Sequence, residues 1–278
     1  MTDVVSRARP LLGTLVTLRI AGMGQVCDMA TVGSVAEQAF TLVGHIARVM
    51  SAHHPDSDLG RMSRAQPNEV LDLDPHTVQV LRATQYWVHR SGGAFNPARA
   101  GHALARLGAR PGLKAGRGAQ PSIADIEMLS ERRVKMPASL SLDLGGIAKG
   151  YAVDQAAECL MRHGVSAALI NAGGDLRVVG FRAWPVEVRH AGVQLRDRVL
   201  MATGRMTEGA LATSVGASPE TDFVCTTARG VRQWRSASVV ARDCMTADVL
   251  TKWALQSSLL CPSLKSAMRE HHARLWRS

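Results

Sequence analysis

The stretch that most constrains the fold lies at residues 141–154 and reads SLDLGGIAKGYAVD. An apolar run ends in Gly145 and Gly146, Lys149 follows, and residues 151–163 have the periodicity of an amphipathic helix. This order predicts a strand, a tight glycine turn and a helix start. Such a corner suits a phosphate-bearing ligand, because glycines let backbone N–H groups approach an anion and a lysine adds positive charge. The alternative is a plain strand-to-helix corner that needs two glycines for its turn.

The next segment favours the ligand interpretation. Residues 165–179 read VSAALINAGGDLRVV, which is a buried-type strand, a second Gly-Gly pair followed by Asp175, and another strand. Two glycine turns, each beside an aspartate and joined by one helix, form a recurring α/β frame. The spacing matches neither a P-loop nor the G-x-G-x-x-G pattern of dinucleotide-binding folds.

Both blocks resemble the signatures of the ApbE-like flavin transferases, the FAD:protein FMN transferases, which read LD(L)GGIAKGYAVD and NAGGD. Further short motifs extend the resemblance, in the family's order, over most of the chain. They are Leu12-Gly13-Thr14, residues 39–63, Gly93-Ala94-Phe95-Asn96-Pro97, Ala212-Thr213-Ser214 and Thr246-Ala247-Asp248-Val249-Leu250.

The resemblance implies an α+β fold with a mixed, largely antiparallel sheet, packed helices and a flavin cleft. We expect a single domain over residues 1–278, with lobes at roughly 1–140 and 141–278. The residue patterns themselves predict a strand over 11–20 and helices over 28–50, 74–91 and 247–260. A basic amphipathic helix is expected at 264–276, where it would be a solvated docking helix.

The resemblance also implies the residues that contact FAD. These are Leu12, His53, Ala94, Phe95, Asn96, Asp143, Gly145, Lys149, Thr213 and Cys225. Asn96 stands where the family has an aspartate, which keeps a hydrogen-bonding side chain but removes a charge. Asp143 could instead accept hydrogen bonds from the turn, and His53 with His54 could simply form a solvated loop.

The implied metal is Mg²⁺, bound by the backbone carbonyl of Gly146 and by Asp248. In the family a threonine four residues after the aspartate completes this set, but here that position is Lys252. A carboxylate and an ammonium four residues apart on a helix can pair. Either Lys252 replaces the metal, which we favour, or the helix shifts and Lys252 faces solvent.

The catalytic loop also departs from the family pattern H-x-I-D-P-x-T-G. Phe223 stands at the histidine position, and Thr226, Thr227 and Arg229 replace the aspartate, proline and threonine. Phenylalanine cannot transfer a proton, so no catalytic residue is assigned.

The implied reaction moves FMN from FAD to a threonine or serine hydroxyl of a client flavoprotein and releases AMP. The alternative is an FAD-binding family member that has lost transfer, which the replacements at Phe223, Thr226 and Lys252 favour. The client would resemble a flavoprotein subunit or a small FMN-binding domain of a redox system.

Charge, cysteine content and the absence of targeting signals bear on the kind of partner and on the cellular compartment. The net charge of +10 permits an anionic partner, but the arginines are scattered and form no basic stripe interleaved with aromatic residues, which argues against nucleic acid. Five cysteines without a CxxC pair favour reduced thiols. No signal peptide, lipid-anchoring motif or membrane span is visible, so we expect a cytoplasmic protein.

Overall fold

A computed structural model describes residues 4–23, 29–98, 122–191, 198–216, 234–258 and 261–278. The described helices are α1 (Met29–Val49), α2 (Asp58–Met62), α3 (Pro75–Arg90), α4 (Ala148–Arg162), α5 (Cys244–Leu255) and α6 (Pro262–Glu270), with a 3₁₀ turn at Ile123–Asp125. The strands are β1 (Val4–Leu11), β2 (Thr14–Met23), β3 (Val70–Asp72), β4 (Glu127–Met128), β5 (Arg133–Lys135), β6 (Val165–Ala172), β7 (Asp175–Gly180), β8 (Trp184–Ala191), β9 (Arg198–Met206), β10 (Gly209–Val215), β11 (Ser236–Ala241) and β12 (Arg274–Arg277).

Seven strands form the central sheet in the order β1-β2-β6-β7-β10-β11-β12, and every neighbouring pair is antiparallel. A three-stranded sheet (β3-β5-β4) and the β8–β9 hairpin are separate from it. The predicted α+β class with a largely antiparallel sheet and packed helices is therefore confirmed. The central sheet takes strands from both sides of residue 140, and the division into two lobes stays a prediction.

Alternation along the strands gives the sheet two apolar faces. On β6, Ala168 and Ile170 belong to the large core that also contains the buried sides of α1, α4 and α5. Leu169, between them, points to the opposite face, where Trp184 of β8 packs. Because both faces are covered, β6 is almost continuously apolar, as its sequence predicts.

The first predicted strand is wrong in its extent. Instead of one strand over residues 11–20, β1 and β2 form a hairpin joined by Leu12 and Gly13. Both turn residues have positive φ, 55° at Leu12 and 69° at Gly13. This backbone matches the twist of the flanking strands, although it is unusual for a leucine.

Two further expectations need correction. The apolar run before Gly145 is not a strand; Leu142 and Leu144 are buried, but the backbone N–H of Asp143 donates to the carbonyl of Pro97 at 3.1 Å. The basic tail is not one solvated helix, because α6 ends at Glu270 and β12 then adds to the open edge of β11. An edge strand offers free backbone groups, and those groups pair the last residues of the chain.

A carboxylate on α4 caps the N-terminus of α5 and so links the two helices. Asp154 on α4 accepts hydrogen bonds from the backbone N–H groups of Cys244 and Met245, both at 2.8 Å. Asp243, the N-cap residue of α5, accepts from the N–H of Thr246 at 2.7 Å. Three of the N–H groups that a helix start leaves without a partner are thus satisfied by side chains.

We expect Asp154→Ala to lower the free energy of unfolding by about 2–4 kcal/mol, because two backbone donors lose their acceptor. Asp154→Asn keeps one acceptor oxygen and should lose less. Urea denaturation measures both, with Glu158→Ala, an exposed change on the same helix, as the control. Equal unfolding midpoints for Asp154→Ala and the wild type would contradict the capping role.

In the part of the chain that the structure describes, no helix is both long enough and apolar enough to cross a bilayer.

Candidate functional site

The glycine turn at residues 145–147 leads directly into α4. The N–H of Gly145 donates to Asp143 Oδ1 at 2.8 Å, so the aspartate does accept a hydrogen bond from the turn. The N–H groups of Ile147 and Ala148 donate to the carbonyl of Leu144 at 2.9 and 2.8 Å. The N-cap residue of α4, Ile147, supplies no side-chain hydrogen bond. The start of α4 therefore has no side-chain cap from Ile147, and it lies beside the exposed Gly145.

Lys149, in the first turn of α4, forms an ion pair with Asp175. Its Nζ donates to Asp175 Oδ2, and Asp175 is fully buried at the start of β7. The two Gly-Gly blocks of the sequence are thereby joined by one contact. Asp175 Oδ1 is also buried and has no hydrogen-bond partner within the described residues.

A second ion pair lies on α5. Lys252 Nζ donates to Asp248 Oδ1 at 2.9 Å and also to Ser214 Oγ of β10. Thr251 Oγ1 is 2.6 Å from Ser214 Oγ and donates to the carbonyl oxygen of Asp248 at 2.7 Å. Asp248 is completely buried, whereas the Lys252 side chain is 29% exposed. These contacts rule out the alternative in which Lys252 simply faces solvent.

The two ion pairs belong to one electrostatic cluster, defined here as Lys149, Asp175, Asp248 and Lys252. Burial opposes the charge on Lys149, but the carboxylates of Asp248 and Asp175 outweigh it and raise the pKa of the ammonium. Burial and then the charge of Asp248 raise the pKa of Asp175, against the opposing effect of both lysines. The cluster contains two residues of each sign, and its lysine side chains are the partly exposed members.

The segment at residues 94–97 closes one side of the glycine turn. A Cβ atom placed on Gly146 would lie 3.4 Å from the ring of Phe95 and 3.1 Å from Cγ of Lys252. An added methyl group would be in ordinary contact with Phe95 but tight against the stem of Lys252, which would have to shift by a few tenths of an ångström. Phe95 is buried, and Asn96 accepts a hydrogen bond from the N–H of Ala98 at 3.1 Å. Ala94 packs partly buried against the large core.

The other predicted flavin contacts lie outside the glycine turn and outside the segment at residues 94–97. Leu12 is partly buried in the β1–β2 turn, and a Cβ on Gly173 would lie 2.5 Å from Thr14 Oγ1, which brings this turn to the second glycine pair. Thr213 on β10 bonds Ser238 Oγ at 2.9 Å. His53 is exposed in the turn after α1.

The predicted residues Phe223, Cys225, Thr226, Thr227 and Arg229 lie outside the described residues.

The residues around Asp248 do not fit a magnesium ion. Asp248 Oδ1 is bonded to Lys252, and Oδ2 accepts the backbone N–H of Gly150 at 3.4 Å. Mg²⁺ binds carboxylate oxygen at about 2.1 Å in octahedral geometry and would here lie against an ammonium group. No group of three or more His, Cys, Asp or Glu side chains suited to a metal occurs in the described ranges.

Sequence reasoning left two members of this site out of the predicted binding set. Asp175 was visible beside the second glycine pair, and its polar side chain between apolar strands was the available signal. Ser214 was visible only as part of a short motif. Its contact with Lys252 joins residues 38 positions apart, and no local pattern reveals such a contact. Thr251 precedes Lys252 by one residue and so lies about 100° away from it around the helix, yet it reaches the same serine.

Comparison with known proteins identifies the family of this chain. The ApbE family model matches residues 12–258. A curated relative, the FAD:protein FMN transferase of Treponema pallidum, is 28% identical over 211 residues, which is 68% of this chain and 55% of that protein. The chain thus spans little more than half of this relative's length.

Solved structures share the fold at low sequence identity. The flavin transferase ApbE of Vibrio cholerae superposes with a TM-score of 0.80 at 19% identity, covering 100% of this chain and 94% of that one. The ApbE protein of Thermotoga maritima gives 0.77 at 22% identity, covering 99% and 94%. The flavinyl transferase ApbE of Pseudomonas stutzeri gives 0.78 at 16%, covering 99% and 90%. Because the family model matches residues 12–258, which is most of this chain, the chain belongs to the ApbE family.

Proposed function

We propose that this protein is an FAD:protein FMN transferase. The observation that carries the proposal is the cluster of Lys149, Asp175, Asp248 and Lys252 beside the glycine turn at the start of α4. Its two lysine side chains are partly exposed while its carboxylates are buried, which suits an anionic group such as the diphosphate of FAD. The family match and the activity named for the Treponema relative support the same substrate.

In the proposed reaction the hydroxyl oxygen of a client threonine or serine forms a bond to the FMN-side phosphorus of FAD. The bond between that phosphorus and the bridging oxygen breaks, AMP leaves with the electron pair, and the hydroxyl proton is released. Phosphoryl transfer of this kind depends on positioning and charge neutralisation more than on covalent participation by the protein. Lys149 and Lys252 supply positive charge, and the glycine turn supplies close backbone approach.

The remaining flavin contacts form part of the proposal. Leu12, Ala94, Phe95, Asn96, Asp143, Gly145 and Thr213 would border the bound FAD, together with His53 and Cys225. The buried ring of Phe95 against Gly146 supports an apolar boundary on one side. The donor set around Asp248 and Gly146 does not favour Mg²⁺, so no step of the proposed reaction uses a metal.

We place the protein in a reducing compartment, in agreement with the expected cytoplasmic location. Cys159, Cys244 and Cys261 are free thiols among the described residues, and burial raises the pKa of Cys244 well above its usual value, which makes it unreactive. The client is proposed to be a flavoprotein subunit or a small FMN-binding domain with an accessible hydroxyl.

The proposal is tested by incubating the protein with FAD and a panel of purified flavoprotein subunits and FMN-binding domains. If the protein transfers FMN, AMP should appear in the supernatant, and the mass of the client should rise by that of one esterified FMN. The amount of AMP should equal the amount of modified client. A client variant without its acceptor hydroxyl is the control. FAD binding without AMP release across the panel would overturn transfer and leave an FAD-binding protein. Absence of FAD binding would overturn both.

A further inference from the structure

The carboxylate of Asp248 is already neutralised by the protein. Both of its oxygens accept hydrogen bonds, one from Lys252 Nζ and one from the backbone of Gly150. Ser214 of β10 is hydrogen-bonded to both Thr251 and Lys252 of α5, so this ion pair is also linked to β10. A buried carboxylate needs one compensating charge, and here the side-chain ammonium of Lys252 supplies it. A divalent cation could bind Asp248 only after displacing Lys252.

The ammonium is also placed to meet a ligand. A lysine has three N–H donors, and Lys252 directs one to Asp248 and one to Ser214 within the described part of the chain. Its stem lies over Gly146, at the glycine turn, and the side chain remains 29% exposed. The third donor is therefore available beside the turn where the proposed substrate binds.

Given the proposed function, we infer that the ammonium of Lys252 is the resident cation of this site, which contacts the diphosphate of FAD directly and makes a divalent metal unnecessary for FAD binding. A single ammonium carries one positive charge, half that of Mg²⁺. Lys149 provides a second ammonium in the same cluster.

The test compares FAD binding with and without metal, by quenching of flavin fluorescence in EDTA and in millimolar MgCl₂. The wild-type Kd should agree within about twofold in the two buffers, because the cation is part of the chain. Lys252→Thr should bind FAD at least about tenfold more weakly in EDTA, since a charge-assisted contact is lost. Magnesium should recover most of that loss, because Asp248 and the new hydroxyl are then free oxygen ligands.

A second readout follows metal binding without FAD, using the electron paramagnetic resonance signal of Mn²⁺ as a probe. We expect no Mn²⁺ binding at this site in the wild type and binding in Lys252→Thr that Asp248→Asn abolishes. Lys265→Thr, the same change at an exposed position of α6, is the matched control and should behave as the wild type does in both assays.

Two results would overturn the inference. One is a wild-type FAD affinity that rises tenfold or more with magnesium; the other is wild-type Mn²⁺ binding that Asp248→Asn removes. If no FAD binding is seen in any buffer, the proposed function fails. The Mn²⁺ measurement then still decides whether Lys252 excludes a metal from Asp248.

Discussion

Gly150→Ala is expected to cost at least about 3 kcal/mol of unfolding free energy, because a methyl group there has no space to occupy. A Cβ atom on Gly150 would lie 2.5 Å from the carbonyl oxygen of Cys244 and 2.8 Å from the Cα of Met245. Both obstacles are backbone atoms at the start of α5, so no side-chain rotation relieves the overlap. Helices α4 and α5 would have to move apart.

This loss is a large fraction of a total stability that is typically about 5–15 kcal/mol, so the variant should show a strongly lowered melting temperature or poor soluble yield. Gly33→Ala is the matched control. Gly33 lies inside α1, and nothing is within 4 Å of the position of its added methyl group. There the change should raise stability by up to about 1 kcal/mol. Equal melting temperatures for Gly150→Ala and the wild type would show that α4 and α5 do not approach each other this closely at Gly150.

The same close approach positions the site. Because α4 and α5 meet at Gly150 and Cys244, Asp248 comes close enough to Lys149 for its carboxylate to raise the pKa of the ammonium. The backbone N–H of Gly150 also points to Asp248 Oδ2. One glycine thus serves both the packing of the helices and the cluster on which the proposed function depends.

The sequence predicts those parts of the fold whose causes are local. The apolar periodicity of residues 28–50 predicts α1, and Asp74 with Pro75 predicts the start of α3, where Asp74 does accept the N–H of His76 at 2.9 Å. The Gly173–Gly174 pair predicts the turn between β6 and β7, and both residues have positive φ. In each case the signal and the structure lie within a few residues of each other.

Contacts between distant segments could not be predicted in this way. The spacing of four residues predicts that Lys252 can reach Asp248, but Ser214 comes from a strand earlier in the chain. The segment before Gly145 has the composition of a strand, yet its backbone bonds Pro97 and the end of α2 at Met62 rather than a sheet edge. Local propensity does not decide such cases, because tertiary packing overrides it.

Lys149→Met is expected to damage both folding and FAD binding, and a second change separates the two effects. Removing the ammonium leaves the fully buried carboxylate of Asp175 without its partner. Breaking a buried ion pair from one side costs about 3–5 kcal/mol, largely as the penalty of the charge left behind. Adding Asp175→Asn removes that charge while keeping the side-chain shape.

We therefore expect the double variant Lys149→Met/Asp175→Asn to be more stable than Lys149→Met alone, by about 1–3 kcal/mol in urea denaturation. Its affinity for FAD should stay at least about tenfold below that of the wild type, because the positive charge beside the glycine turn is still missing. If the double variant binds FAD as the wild type does, Lys149 only neutralises Asp175 and the diphosphate contact assigned to it is wrong. If Lys149→Met alone is as stable as the wild type, the ion pair that joins the two glycine blocks does not hold them together.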